Sequence, residues 1–236
     1  MVAKGLFITK RSRPDIGLTV SVLSSRVRTP NKDDWRKVRR LCDYLKSTRD
    51  LYLILRIDGE VPILKWSVDA SFATHPDFRS HSGAIMRMGD SGGAIITGSL
   101  KQKLNTRSST EAEIVAIDDF IAKMLWTKHF LERQQFPYGG TTLYQDNSSA
   151  IHLQSKGFEV TGKRMRHLNI RYFFARDCVS CGLLRIQHQS TKEIEADFMS
   201  KPLQGRAFLN FRDSILGIGS GISTGAVRMG PGKDQE

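Results

Sequence analysis

The sequence predicts an α/β layer fold built on a five-stranded mixed sheet with flanking helices, preceded by a short helical segment. Three observations carry that expectation. Residues 64–100 hold three successive stretches of strand character separated by turn residues. A long helix with an apolar stripe follows at 108–134. Two further strand-like stretches then alternate with helical ones up to Pro202. Strands in direct succession pair antiparallel, whereas strands separated by helices pair parallel, so the sheet combines both modes.

The elements follow in order. Residues 1–60 read as helical. In "NKDDWRKVRRLCDYLKS" the residues Trp35, Val38, Leu41 and Leu45 recur at helical spacing, while Arg36, Lys37, Arg39 and Arg40 fall elsewhere on the cylinder. That basic face is either solvated or a phosphate contact, and the sequence leaves both open. Texture changes at Asp58-Gly59-Glu60-Val61-Pro62, which sets a boundary between residues 1–60 and an α/β domain over 61–212. A glycine-rich tail, 213–236, is expected to be disordered.

Within the domain, "LKWSVDASFA" is the first strand, with Leu64, Trp66, Val68 and Ala70 on one face and Lys65, Ser67, Asp69 and Ser71 on the other. "SGAIMRMGDSGGAIITGSL" gives two more strands joined through the Gly89–Gly93 turn. The helix "SSTEAEIVAIDDFIAKMLWTKHFLERQ" opens on the capping residues serine and threonine. "TTLYQD" is the fourth strand, "NSSAIHLQS" a short helix, "GKRMRHLNIRYFFARD" a basic helix and "GLLRIQHQ" the fifth strand. A last helix is expected to start at a capping box formed by Ser190 and Glu193, to carry Ile194, Ala196 and Phe198, and to stop before Pro202.

Composition narrows the function classes. The 236-residue chain is 39% hydrophobic, and no apolar run approaches the roughly 20 residues needed to span a bilayer. Its first residues lack the apolar core and cleavage site of a signal peptide, so an intracellular setting, cytoplasmic or nuclear and not secreted, is expected. Cys42, Cys178 and Cys181 are too few for a disulfide framework, and the Cys178–Cys181 spacing lacks the second pair a zinc site needs. The net charge of +12 points to a polyanionic partner, nucleic acid before a membrane surface, for which no amphipathic anchor is present.

Against that basic background four carboxylates stand out. Asp69 sits in a strand stretch that is otherwise uncharged after Lys65. Steps of four, seven, eight and eleven from Glu113 reach Ile117, Phe120, Ile121 and Met124, so Glu113 belongs to the buried stripe of its helix, while Glu111 either drifts toward solvent or serves the helix start. Asp146 ends the fourth strand ahead of a helix, where layered α/β folds gather functional groups, although an Asp-Asn pair there also suits a turn or cap. Asp197 lies between Ala196 and Phe198, whereas Glu195 reads as exposed. Four inward acids repel unless cations lie among them. Oxygen ligands select Mg²⁺ or Mn²⁺, and two such ions about 4 Å apart can clamp the attacking and leaving oxygens of a phosphodiester. His188, at the end of the fifth strand, is either a proton shuttle near that site or a histidine in a polar loop. Asp118-Asp119 echoes a polymerase motif, but a helix is the wrong context, and solvent-exposed acids are expected there.

With Asp69, Glu113, Asp146 and Asp197 in that order on those elements, the chain resembles a ribonuclease H domain. The words "VDASFA", "KQKLNTRSSTEAE", "LYQDNSSAI", "RHLNIRYFFARD" and "TKEIEADFMSKPLQG" resemble copia-type retrotransposon Pol polyproteins over about residues 60–212. Upstream, "AKGLFITKRSRPDIGLTVSVLSSRV" and the Trp35 helix resemble the end of the reverse transcriptase thumb or connection region. The resemblance departs near Thr97, where many relatives carry tryptophan.

The resemblance implies hydrolysis of the RNA strand of an RNA/DNA hybrid, with two Mg²⁺ (or Mn²⁺) ions held by the four acids and the rest of the Pol polyprotein as partner. It also implies that Lys163, Arg164, Arg166, His167 and Arg171 grip the hybrid's backbone, that Asn147 binds the nucleic acid too, and that Lys101 and Gln102 are weaker candidates for the same role. Two other readings compete: a non-catalytic nucleic-acid-binding remnant of a retroelement, and integrase or transposase chemistry. The second places its glutamate last, after both aspartates, and here Glu113 lies between them.

Overall fold

The computed structural model describes residues 1–156 and 169–218. Its centre is a five-stranded sheet of β1 (Leu64–Ser71), β2 (His81–Met88), β3 (Ile96–Lys101), β4 (Thr141–Gln145) and β5 (Arg185–His188), in the spatial order β3-β2-β1-β4-β5. The first three strands pair antiparallel, and β1, β4 and β5 pair parallel, so the sheet is mixed as the sequence predicts.

Alternation along β1 separates two layers. Leu64, Trp66 and Val68 point with Ala84 and Met86 into a core completed by helix α4 (Ser109–Arg133), through Ala116, Ile117, Phe120, Ile121 and Met124, and by Ala175 and Cys178 of α6 (Asn169–Ser180). The other face, marked by Ile85, is covered by Phe198 and Met199 of the one-turn helix α7 (Asp197–Ser200) and by Ile215 of α8 (Gly205–Leu216). Both faces are therefore buried, and every residue of β2 is buried. A short helix α5 (Ser148–Lys156) follows β4.

Close approach of α7 to the sheet depends on Gly83, the residue paired with Asp69 across β1 and β2. A Cβ on Gly83 would lie 2.7 Å from the Ala196 carbonyl oxygen and 2.9 Å from the Ser200 nitrogen, both backbone atoms that cannot rotate away. The C-terminal end of α8 uses Gly217 in the left-handed conformation, φ 72°, which lets Ile218 N–H reach the Asp213 carbonyl and seats residue 217 against Ile54.

The N-terminal segment is helical only to residue 47: α1 (Val2–Arg11), a single 3₁₀ turn (Pro14–Ile16), α2 (Gly17–Arg26) and α3 (Lys32–Ser47). Residues 51–57 instead run without regular structure, and Ile54 bridges the Leu216 carbonyl and the Gly93 N–H. Lys10 and Ser21 donate to the carbonyls of Thr97 and Ser99 at 3.1 and 2.8 Å, so α1 and α2 cover the otherwise open edge of β3. Thr97, where the resemblance departs, is buried beneath that cover. The predicted stripe of α3 is displaced at its start. Asp34 takes the inward position and meets Arg26, while Trp35 is 68% exposed. The reason is the cap, in which Asn31 and Asp34 bond each other's backbone N–H groups and turn Asp34 toward α2.

The predicted last helix is also shorter. Ser190 donates its hydroxyl to the Glu193 carboxylate at 2.9 Å instead of receiving an N–H, so residues 190–193 form a turn and the helix is confined to Asp197–Ser200. A further helix, α8, carries ordered chain beyond residue 212 and buries Ile215 and Leu216; residues 219–236 lie outside the described residues. Cys42, Cys178 and Cys181 are free thiols.

Gly83→Ala is expected to destabilise the protein by about 1–3 kcal/mol through overpacking against the α7 backbone, read as a lowered midpoint in thermal unfolding. An unchanged midpoint would show that α7 is free to shift.

Candidate metal centre

The parallel register between β1 and β4 runs from Leu64↔Thr141 to Ser67↔Tyr144 and then stops. Two residues beyond that last pair come Asp69, still within β1, and Asp146, just past the end of β4, at the point where the strands part. This is the switch point of the sheet, because β2 continues from β1 on one side and β4 lies on the other. One carboxylate oxygen from each of Asp69, Glu113 and Asp146 lies within 4.8 Å of the other two. Three carboxyl groups at that separation, all offering oxygen, fit a hard divalent cation such as Mg²⁺ or Mn²⁺.

Glu113 reaches the cluster from the first turns of α4, whose inward stripe it heads; it is 5% exposed. Gln145, fully buried at the end of β4, donates its amide to Glu113 Oε2 at 3.0 Å and accepts the Asp146 N–H at 3.1 Å. One side chain therefore orients two of the acids. Burial, and then the charge of Asp69, push the Glu113 carboxyl up to about 9. Asp146 is half-buried and accepts the Thr191 hydroxyl at 3.0 Å. The helix-capping task belongs to its neighbour, since Asn147 Oδ1 accepts the Ala150 N–H at 3.1 Å. Asp146 is thereby left to the cluster.

Asp197 enters from the opposite layer. It is 8% exposed and joined to Asp69 through Lys201, whose Nζ donates to Asp197 Oδ1 at 2.8 Å and to Asp69 Oδ1 at 3.2 Å. Ser200 donates its hydroxyl to the other oxygen of Asp69. Desolvation and the nearby Asp69 charge raise the Asp197 carboxyl to about 6, even with Lys201 beside it. The four predicted acids thus meet in one region, three as a compact cluster and the fourth bridged by an ammonium group.

The remaining site residues divide. His188 stands at the rim, its Nε2 3.1 Å from the Asp146 carbonyl oxygen. Lys101 is committed to Asp77 at 2.7 Å. Gln102 is 1% exposed and clamps β2 to α4 by donating to Ser82 Oγ and the Ala112 carbonyl, so the expectation that it touches nucleic acid is corrected: its side chain offers no surface. Lys163, Arg164, Arg166 and His167 lie outside the described residues, and Arg171 is placed only as part of α6.

Two of the set-aside acids also differ from expectation. Glu195 is half-buried and pairs with Arg87 at 2.6 Å, because Arg87 is itself buried and needs a counter-charge. Asp119 is half-buried and accepts the Ser82 hydroxyl at 2.8 Å. Of the two readings of Glu111, the structure bears out the helix start and not solvent: it is buried and accepts the Arg107 N–H at 2.8 Å while Ser108 Oγ accepts its own N–H. Gln145, Ser200 and Lys201 were not singled out from the sequence, although the four-residue step from Asp197 to Lys201 is the spacing at which helical side chains meet.

The strand order, the switch-point acids and the flanking helices define a ribonuclease H-like architecture. The chain is a homologue of a stretch of the retrovirus-related Pol polyproteins of copia-type plant transposons. It is 33% identical over 198 residues, 84% of its length, to the Pol polyprotein of transposon TNT 1-94 of Nicotiana tabacum. It is 33% identical over 218 residues, 92% of its length, to that of transposon RE2 of Arabidopsis thaliana. The chain spans 14–15% of these polyproteins. Among solved structures, the N-terminal RNase H domain of rv2228c from Mycobacterium tuberculosis aligns with 65% of this chain and 98% of its own at 13% identity and a TM-score of 0.42; at that score the assignment rests on strand order and not on the superposition. No protein-family model matches the chain.

A raised carboxyl means that the folded protein holds the proton more tightly than the unfolded chain. For Glu113 this contribution to stability is complete below its ordinary 4.5 and is lost as pH rises toward about 9; for Asp197 the loss runs from 3.8 toward about 6. In chelator, the unfolding temperature is expected to decline as pH rises through the Glu113 window, and Mn²⁺ is expected to flatten the decline. A pH-independent midpoint in chelator would contradict the charge crowding described here.

Proposed function

We propose that this chain is a metal-dependent ribonuclease H that hydrolyses the RNA strand of RNA/DNA hybrids as part of a retroelement Pol polyprotein. The observation that carries the reading is the convergence of Asp69, Glu113 and Asp146 at the parting of two parallel strands, with Asp197 tied to Asp69 from the other layer. Bound there, divalent ions would activate water and neutralise charge developing on the phosphate, the two-ion arrangement being the one that oxygen-rich nuclease sites favour. Asp69, Glu113, Asp146 and Asp197 are the residues that would hold them.

The chain's own contribution is positional. Gln145 fixes Glu113 and the Asp146 main chain, Ser200 fixes Asp69, and the half-buried Asp146 presents the cluster toward solvent, where a phosphate can approach. His188, exposed and hydrogen-bonded to the Asp146 carbonyl, would pass a proton between solvent and the leaving group. The +12 net charge supports a polyanionic substrate, which electrostatic attraction would draw in at a rate that falls with salt.

The test is cleavage of a strand-labelled RNA/DNA hybrid in Mg²⁺ or Mn²⁺. Asp69→Asn is expected to lose more activity than the roughly 10–100-fold that outer-shell changes cost, while still binding the hybrid with a steep salt dependence. Hybrid binding with no cleavage by the wild-type protein in either ion would favour the non-catalytic remnant.

A further inference from the structure

Lys201 has a role that the four acids alone do not explain. Among the described residues it is the cation ion-paired to the cluster, and it touches two of the acids at once, Asp197 on its own helical turn and Asp69 on β1, 132 positions away. An ordinary four-residue helical ion pair accounts for the first contact and not for the second. The ammonium stands between carboxylates that come from opposite layers. Asp69 is almost fully buried and the Asp197 side chain nearly so, whereas the Lys201 side chain is 35% exposed.

We propose that Lys201 is a tethered counter-cation: its ammonium holds Asp69 and Asp197 together until a divalent ion binds them, and it swings out to solvent as the ion enters. The inference rests on the proposed reading of the four acids as ion ligands. Three features of the structure favour it. Two like charges drawn from separate layers would otherwise push α7 off the sheet, and Gly83 leaves no slack there, so some cation is needed before any ion arrives. Asp197 lies outside the compact group formed by Asp69, Glu113 and Asp146, so the position that Lys201 fills is the one through which Asp197 would share an ion with Asp69. Finally, a lysine on a flexible four-carbon stem with an exposed side can leave without opening the core, which a buried arginine fork could not do.

Lys201 is thus a positioning residue, and its role is read by ion binding and not by activity alone. In wild-type protein, reductive methylation followed by mass spectrometry is expected to label Lys201 poorly in chelator and several-fold faster in saturating Mn²⁺, with the other lysines as internal reference. In Lys201→Met, calorimetric titration is expected to show Mn²⁺ binding tighter by about tenfold, the scale of one charge-assisted contact no longer displaced. Its unfolding temperature in chelator should fall below wild type and be restored by Mn²⁺. Labelling of Lys201 that ignores Mn²⁺ overturns the proposal even if the variant fails to fold, and so does Mn²⁺ affinity in the variant equal to or weaker than wild type. Ion binding without a lysine response defeats the lysine's role alone; no ion binding by wild-type protein defeats the ligand reading with it.

Discussion

Repulsion among four carboxylates gathered at the buried end of a parallel strand pair is the constraint around which this molecule is organised. A carboxylate such as Asp69, 1% exposed, cannot rely on water for its charge. The surrounding structure answers with oriented donors: the Gln145 amide, the Ser200 hydroxyl and the Lys201 ammonium each meet an acid. These donors come from β4 and from the segment that begins at α7, so the sheet and the layer over it are locked to one another through the acids themselves. A group of charges that costs stability also fixes where the last helical turn must sit.

Two backbone features make the gathering possible. The β1–β4 ladder ends two residues before Asp69 and Asp146, which opens a gap at the switch point of the sheet. Gly83, lacking a side chain, lets the α7 backbone descend onto β2 directly beside Asp69. Neither feature is chemical in itself, yet both decide the distance between acids. The N-terminal segment contributes at longer range. By donating from Lys10 and Ser21 to the open edge of β3, and by threading Ile54 between Gly93 and Leu216, it closes an edge that would otherwise present unpaired carbonyls to other chains.

How much of this was legible in the sequence depended on whether the signal was periodic. The strands and α4 carry patterns that burial enforces residue by residue, and the stripe from Glu113 through Met124 correctly put that carboxylate inside. Asp69 was legible for a different reason: alternation put it on the face opposite Leu64, Trp66 and Val68, and only the company of the other acids marked it out. What escaped was set by pairings distant in sequence. Glu195 is half-buried because Arg87, 108 positions away, is buried, and nothing near Glu195 announces that. Gln102 looked like a surface polar residue beside a lysine, but its partners are Ser82 and the main chain of Ala112. Ser190 and Glu193 have the spacing of a capping box and form a turn instead, because local propensity yields where α7 must start later to bring Asp197 over Asp69. Lys201 escaped because a lysine four residues after an aspartate is ordinarily a surface pair; its significance lies wholly in the second carboxylate.

On the proposed reading, the contrast between a chain of net charge +12 and an acidic centre has a thermodynamic consequence. A polyanion is attracted from a distance by the overall field, but a phosphate brought against four carboxylates is repelled at contact unless cations stand between them. Ion and nucleic acid must therefore each bind better in the presence of the other, since the coupling free energy between two ligands is the same from either side. A single lysine cannot replace divalent ions in this respect: it balances Asp69 against Asp197 but leaves the cluster of Asp69, Glu113 and Asp146 with an excess of negative charge. On that reading, the charge balance that Lys201 brings to the free protein would keep its site shut to substrate until ions arrive.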